Sequence, residues 1–234
     1  MKTIAIIPAG GLGLRAGSNT PKQYIKFSSK PLLAYTLQTF QDCEEVDDIV
    51  IPVQPKYFEL LNNIVEEFNL SKVKKIIEGG RTRQDSVFNA ILSIAPLSDD
   101  KIIVHDAVRP LLSKKILERA LKFSKTFDSI VTAIKAKDTL INGGEFIEGY
   151  VERGNVYYVQ TPQIFKYHIL KEAFGVANEQ DFLGTDESML VKNAGFTVKI
   201  IEGSSLNFKV TTKDDLELFR LIVSTQENSL KSIQ

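Results

Sequence analysis

Apolar positions along this chain fall into short β-branched runs that alternate with segments of helical spacing. Residues 4–8 form a near-continuous apolar run, the pattern of a central strand buried on both faces. Residues 31–41 place Leu33, Leu37 and Phe40 at helical spacing, and 48–53 read as a second strand. A helix over 58–68 gathers Leu61, Ile64, Val65 and Phe68 on one stripe. The alternation continues with a strand at 73–77, a helix at 84–95, a strand at 101–104, a helix at 111–123 and a strand at 129–136. This order predicts an α/β fold, Rossmann-like, with a mostly parallel mixed sheet flanked by helices.

The rhythm breaks over residues 137–158. Gly143-Gly144 sits between 139–141 and 146–151, which predicts a hairpin too long and too polar to be core, projecting as a β-arm. Helices return at 167–177 and 185–194, the second opening on Thr185-Asp186-Glu187, a hydroxyl N-cap followed by first-turn acids. Strands are expected at 197–202 and 208–211. Thr212-Lys213-Asp214-Asp215 is a capping-box pattern ahead of a last helix carrying Leu216, Phe219, Leu221 and Ile222. Beyond Thr225 the tail is polar and expected to fray. Without an internal repeat or a linker, residues 1–234 are expected to form one domain with an arm.

Composition narrows what such a domain can do. The chain has 234 residues, 43% of them hydrophobic, enough for a substantial core, which excludes a disordered chain or a disulfide-stapled miniprotein. Lys+Arg and Asp+Glu both number 29. A neutral chain without long basic runs argues against nucleic acid or an anionic membrane as partner. Cys43 is the only cysteine and His105 and His168 the only histidines, so an intrachain disulfide and a thiolate zinc cluster are excluded. A reducing cytoplasm is the expected compartment. The N-terminal apolar stretch is too short for a signal-peptide core, and no window reaches the ~20 apolar residues of a membrane span.

The most informative segment is Pro8-Ala9-Gly10-Gly11-Leu12-Gly13-Leu14-Arg15, followed by Pro21-Lys22-Gln23. Glycines leaving a buried strand let backbone N–H groups approach an anion with no Cβ in the way. The run formally matches a dinucleotide fingerprint, but that site also wants an acid at the end of the second strand. Here the strand ends Pro52-Val53-Gln54. No G-K-[ST] follows, so the P-loop reading fails as well. Two cations beside a glycine-rich loop suit a triphosphate; an ordinary tight turn with two solvated cations would carry the same residues.

Ala9-Gly10-Gly11-x-Gly13-x-Arg15 with Pro21-Lys22-Gln23 resembles the signature of sugar-phosphate nucleotidyltransferases, and more closely of cytidylyltransferases. The resemblance extends in order through Gly79-Gly80-Arg81-x-Arg83-Gln84-Asp85-Ser86-Val87, His105-Asp106-Ala107-Val108-Arg109-Pro110, Lys137-Asp138-Thr139, Arg153, Gln160-Thr161-Pro162-Gln163, Thr185-Asp186-Glu187 and Asn207-Phe208-Lys209-Val210-Thr211. It implies attack by a sugar-phosphate oxygen on the α-phosphorus of CTP with release of pyrophosphate, a reaction run by positioning and electrostatics.

The resemblance also implies site residues. Arg15 and Lys22 would stabilise the transition state, with Arg153 and Lys209 positioning the attacking phosphate. CTP would lie against Ala9, Gly10, Gly11, Gly13, Gly80, Arg83, Ser86 and Ala107. Arg109, Thr139, Arg153, Thr161 and Lys209 would form the sugar-phosphate subsite. Asp106, a hard carboxylate after a buried strand, would hold Mg²⁺, and an Asp106–Arg109 ion pair could coexist with that role. His105 reads as structural. The arm would cross to a second subunit, so that Thr139 and Arg153 act in the partner's site of a homodimer.

Two branches of the family fit. Gly10-Gly11 and Val108 resemble enzymes acting on ribitol 5-phosphate to make CDP-ribitol. Arg83-Gln84-Asp85-Ser86-Val87, Lys137-Asp138-Thr139 and Thr185-Asp186-Glu187-Ser188 resemble those acting on 2-C-methyl-D-erythritol 4-phosphate in isoprenoid precursor synthesis, and these outweigh the former. A non-catalytic nucleotide-binding module is the alternative of another class. Retention of Arg15, Lys22, Asp106, Arg153 and Lys209 argues against it.

Overall fold

A computed structural model describes residues 1–11 and 21–231, with side chains through Thr225. Seven strands build one sheet in the order β11-β7-β10-β6-β1-β4-β5. They are β1 (Thr3–Ile6), β4 (Asp48–Val53), β5 (Val73–Glu78), β6 (Lys101–Val104), β7 (Ser129–Lys135), β10 (Tyr157–Lys166) and β11 (Lys199–Glu202). All neighbours are parallel except β10, which runs antiparallel to both β6 and β7. β2 (Lys26–Phe27) and β3 (Lys30–Pro31) form a separate two-stranded ribbon, as do β8 (Leu140–Gly143) and β9 (Ile147–Val151).

The two-residue period of β1 sorts the core into layers. Ala5 faces α1 (Leu32–Gln41), α2 (Phe58–Glu67) and α4 (Lys114–Phe123), where Leu37, Phe40, Leu61 and Leu117 are buried. Ile4 and Ile6 face α3 (Arg83–Ser93), α5 (Tyr167–Glu179) and α6 (Glu187–Asn193), with Val87, Leu170, Phe174 and Leu190. A third cluster joins α7 (Lys213–Lys231) to the body through Phe27, Leu32, Val108, Val210, Phe219 and Val223.

The expected α/β alternation and the exposed 137–158 hairpin are present, with differences in detail. The hairpin is β8–β9, but Tyr157 and Tyr158 belong to β10, a strand the sequence pattern did not reveal. The strand expected at 208–211 is irregular chain, whose Val210 N–H donates to the Val108 carbonyl. The helix expected from 111 starts at Lys114, because Ser113 caps it by accepting from the Ile116 N–H. Asp186, not Thr185, caps α6, since its carboxylate accepts from the Met189 N–H. The Thr212–Asp215 capping box forms reciprocally, and α7 continues past Thr225 to Lys231.

Candidate active site

From β1 the chain moves outward through β4 and β5, then returns to place β6 on the other side of β1. The carboxyl ends of β1 and β6 therefore flank a topological switch point, where open α/β sheets bind ligands. A cleft of about 600 Å³ opens there. Its walls include Ala9, Gly10 and Gly11 after β1, Lys22 from the following turn, Gly80, Arg83 and Ser86 around the start of α3, and Asp106, Ala107 and Lys209. A pocket of about 210 Å³, lined by Arg109, Thr161, Gln163, Thr185 and Asp186, shares Arg83, Asp106 and Lys209 with the cleft. The two spaces meet at those three side chains.

Local hydrogen bonds fix the cleft walls. Gln23 Nε2 donates to the carbonyls of Ala9 at 2.7 Å and Gly11 at 2.9 Å, and Gln54 Nε2 donates to that of Gly10 at 3.1 Å. Gln54 thus ties the glycine loop from the strand end where a dinucleotide site would carry an acid. At the opposite wall, Ser86 Oγ accepts from the Gly80 N–H and donates to the Thr82 carbonyl. Thr82 and Asp85 complete a capping box that starts α3.

Charge converges on Asp106. Its Oδ1 lies 3.1 Å from Arg83 Nε, and its Oδ2 lies 3.2 Å from Arg109 Nε and 3.1 Å from Lys209 Nζ. Burial alone would raise the Asp106 carboxyl, but these three cations hold it well below the ordinary carboxylate range. Arg83 is pinned from behind by the buried Glu187, whose oxygens accept from Nη1 at 2.7 and 2.9 Å. Arg109 Nη1 also donates to the Asn207 carbonyl, tying the Lys209 loop to β6.

His105 is structural, as its sequence position suggests. It is fully buried against Phe40, and burial pushes its ring down to about 3, so it is neutral. Its Nε2 lies 3.3 Å from the Arg109 carbonyl and its Nδ1 2.9 Å from Thr161 Oγ1, which accepts from the Asp106 N–H at 3.1 Å. Thr161 reaches this position because β10 slips register between Gln160 and Gln163. Bulges of this kind re-aim side chains beside functional sites.

Of the residues the resemblance implied, Ala9, Gly10, Gly11, Lys22, Gly80, Arg83, Ser86, Asp106, Ala107, Arg109, Thr161 and Lys209 surround the two joined spaces. Gly13 and Arg15 lie outside the described residues. Thr139 and Arg153 are exposed near the base of the hairpin and line neither space; Arg153 donates to the Lys137 carbonyl. Gln54 and Glu187 are cleft-shaping residues that the sequence reasoning did not single out. Glu187 stood inside the Thr185-Asp186-Glu187 motif, but its pairing with Arg83 spans 104 positions.

No group of three His, Cys, Asp or Glu side chains among the described residues could enclose a metal. Mg²⁺ needs less than that, since it commonly takes one or two carboxylates and completes its shell with phosphates and water. Asp106 is ionised, and of the four lone-pair directions of a carboxylate its three cationic partners leave one on Oδ1. That donor set fits an ion held jointly with a bound triphosphate.

Known proteins resemble the chain over nearly its whole length. The family model described as 2-C-methyl-D-erythritol 4-phosphate cytidylyltransferase matches residues 3–225. The chain is 37% identical over 222 residues to the protein of that name from Geotalea uraniireducens, covering 93% of this chain and 95% of the relative. It is 35% identical over 233 residues to that from Syntrophus aciditrophicus, covering 98% and 99%. The crystal structure of the Francisella tularensis protein of the same name superposes with a TM-score of 0.82 at 30% identity, over 94% of this chain and 99% of that one. Near-complete coverage in both sequence and structure places this chain in the 2-C-methyl-D-erythritol 4-phosphate cytidylyltransferase family.

Proposed function

We propose that the joined spaces bind CTP and 2-C-methyl-D-erythritol 4-phosphate and transfer CMP from the first to the second. An oxygen of the acceptor's phosphate forms a bond to the α-phosphorus of CTP. The bond from that phosphorus to the bridging oxygen of the β-phosphate breaks, and pyrophosphate leaves with the electron pair. The products are 4-diphosphocytidyl-2-C-methyl-D-erythritol, a precursor in isoprenoid synthesis, and pyrophosphate.

The observation that carries this reading is the convergence of Arg83, Arg109 and Lys209 on Asp106 where the cleft and the pocket meet. Two anions must be brought together in this reaction, and fixed cations at the meeting point offset their repulsion without reorganising. The glycine loop and Lys22 would hold the triphosphate in the larger cleft, together with Arg15. Backbone groups around Gly80 and the Ser86 hydroxyl would meet the cytosine and ribose. Arg109 and Lys209 would hold the acceptor's phosphate in the smaller pocket. Asp106 would hold Mg²⁺ with the phosphates, and the ion would supply further neutralisation of phosphate charge.

Residues 1–234 act as one domain in this proposal, and the β8–β9 arm reaches a second copy of the chain. Thr139 and Arg153 would then clamp the phosphate in the partner's pocket, as bidentate guanidinium groups do. No helix among the described residues is long and apolar enough to cross a membrane. The single buried thiol, Cys43, suits a reducing cytoplasm. The test is pyrophosphate release from CTP and Mg²⁺, comparing the methylerythritol phosphate with D-ribitol 5-phosphate. Faster turnover of the former is expected. Preference for the latter would assign the chain to CDP-ribitol synthesis, and release with neither would remove the acceptor assignment.

A further inference from the structure

We infer that Gln54 is a positioning residue of the nucleotide site: its side-chain amide holds the Gly10–Gly11 peptide so that the glycine loop meets the nucleotide with N–H groups and not with carbonyls. The inference rests on the proposed seat of CTP against this loop and deepens it by naming what sets the loop's polarity.

In a trans peptide the carbonyl and the following N–H point in opposite directions, so an anchored carbonyl also aims the next N–H. Ala9 is still tied to a neighbouring strand, its N–H donating to the Pro52 carbonyl at 2.9 Å. From its own carbonyl onward, three carbonyls in succession are anchored by side-chain amides. Gln23 Nε2 donates to those of Ala9 and Gly11, and Gln54 Nε2 donates to that of Gly10 between them. A carbonyl only accepts, so the nitrogen end of each amide faces it. Among the described residues the N–H groups of Gly10 and Gly11 have no partner. They are the donors the loop keeps for a ligand, in a wall of the cleft.

The Gly10–Gly11 peptide is the one that most needs an anchor. It has a glycine on both sides, so its plane can turn over with no Cβ to oppose the change. Turned over, it would set a carbonyl's partial negative charge where the N–H now stands, against an anionic nucleotide. Neither glycine has a left-handed φ, so the hydrogen bond from Gln54 selects a plane that ordinary residues also adopt. The anchor is itself fixed. Gln54 directly follows β4, and its own carbonyl accepts from the Tyr57 N–H at 2.9 Å. Tyr57 packs on Tyr24 with ring centroids 5.0 Å apart, and Tyr24 follows Gln23 in the turn at Lys22–Tyr24. One ring contact therefore joins the two turns that supply both amides.

Calorimetric titration of the full-length protein with CTP, alongside steady-state kinetics, tests this. Gln54→Met keeps the length of the side chain and removes the donor. It is expected to weaken CTP binding about three- to tenfold, the worth of one hydrogen bond, and to raise the KM for CTP in step. The KM for the acceptor and kcat at saturating CTP should change by less than about twofold. Gln54→Glu sets an acceptor against the Gly10 carbonyl and should weaken CTP further than Gln54→Met does. Gln54→Lys restores a donor without the amide oxygen. In about 0.3 M salt, which shortens the reach of its added charge, it should recover most of the affinity lost in Gln54→Met. An equal loss in Gln54→Lys and Gln54→Met would overturn the inference, because CTP would then need the amide oxygen and not the donor. Unchanged CTP affinity in Gln54→Met would overturn it too, as would a fall of kcat and of the urea midpoint together, which marks a merely structural residue. If the wild type binds CTP but releases no pyrophosphate with either acceptor, the transfer reading fails and the CTP titration alone decides the role of Gln54.

Discussion

Two glycines of the cleft separate backbone necessity from tolerance. A Cβ on Gly80 would sit 2.1 Å from Asp85 Cβ and 2.8 Å from the Asp85 carbonyl carbon, inside the turn that Ser86 closes. Gly80→Ala is therefore expected to cost about 1–3 kcal/mol in urea unfolding and to raise the KM for CTP. A Cβ on Gly10 would meet only Ser86 Oγ, at 4.0 Å, among the described residues. Gly10→Ala should stay within about 0.5 kcal/mol of wild type in the same experiment. A large loss there would mean the loop needs glycine's backbone freedom. Gly10 thus carries little weight in choosing between acceptors, and Val108 carries as little, because its side chain packs with Phe27, Val210 and Phe219. His105 adds a pH dependence. Its folded value of about 3 lies below the unfolded value near 6.5, so its contribution is complete above pH 6.5 and is lost as pH falls toward 3. About 2 kcal/mol should disappear between pH 6.5 and 5, read as a lower urea midpoint. The Asp106 carboxyl, held down by its cations, adds its own loss only below about pH 4. A midpoint that stays level from pH 7 to 5 would mean the buried ring takes up a proton in place.

At the scale of elements, the alternation of apolar runs made β1, β4, β5, β6 and β7 and most of the helices legible, because each buries a face with a regular period. β10 was hidden for a physical reason. Pro162 cannot donate to a ladder, and it sits in a central strand only because the register slip at 161–162 excuses it from pairing. The same bulge turns Thr161 toward Asp106, so the feature that concealed the strand also builds the pocket. The chain at 208–211 has strand composition, but long-range side-chain bonds set its course. Gln160 Nε2 donates to the Ser204 carbonyl, Asn207 Nδ2 to the Thr161 carbonyl and Arg109 to the Asn207 carbonyl. Motifs exposed the residues of the site better than the partners that orient them, Gln54 and Glu187, since those contacts join distant positions. α7 supports the Lys209 loop from below, where Phe219 stacks edge-on against Phe27 and Tyr35. Phe219→Ala is expected to cost about 3–5 kcal/mol in urea unfolding. A loss below about 1 kcal/mol would mean that the loop does not depend on this cluster.

For the whole molecule, the arm is the part that its own chain leaves unexplained. Among the described residues β8 and β9 pair only with each other, and Ile141, Phe146, Ile147 and Tyr150 are 52%, 78%, 57% and 72% exposed. Apolar surface concentrated on a projecting ribbon is the mark of an interaction site, and a second copy of the chain is the proposed occupant. That arrangement makes a quantitative prediction for mixed variants. In the proposed dimer Lys209→Ala would disable the body of a site, whereas Arg153→Ala would disable only what an arm lends to the other site. Each variant alone should therefore be nearly inactive. When the two are unfolded together in equal amounts and refolded, about half of the dimers should be mixed by random pairing. In a mixed dimer, one site combines both lesions and the other combines an intact body with an intact arm. Activity should then recover to about one quarter of the wild-type value, from half of the sites in half of the dimers. If the arm served its own body instead, every site in the mixture would keep one lesion and no activity would return. Measuring pyrophosphate release before and after mixing separates the two outcomes, because only an exchanged arm can rebuild a complete site from two defective chains.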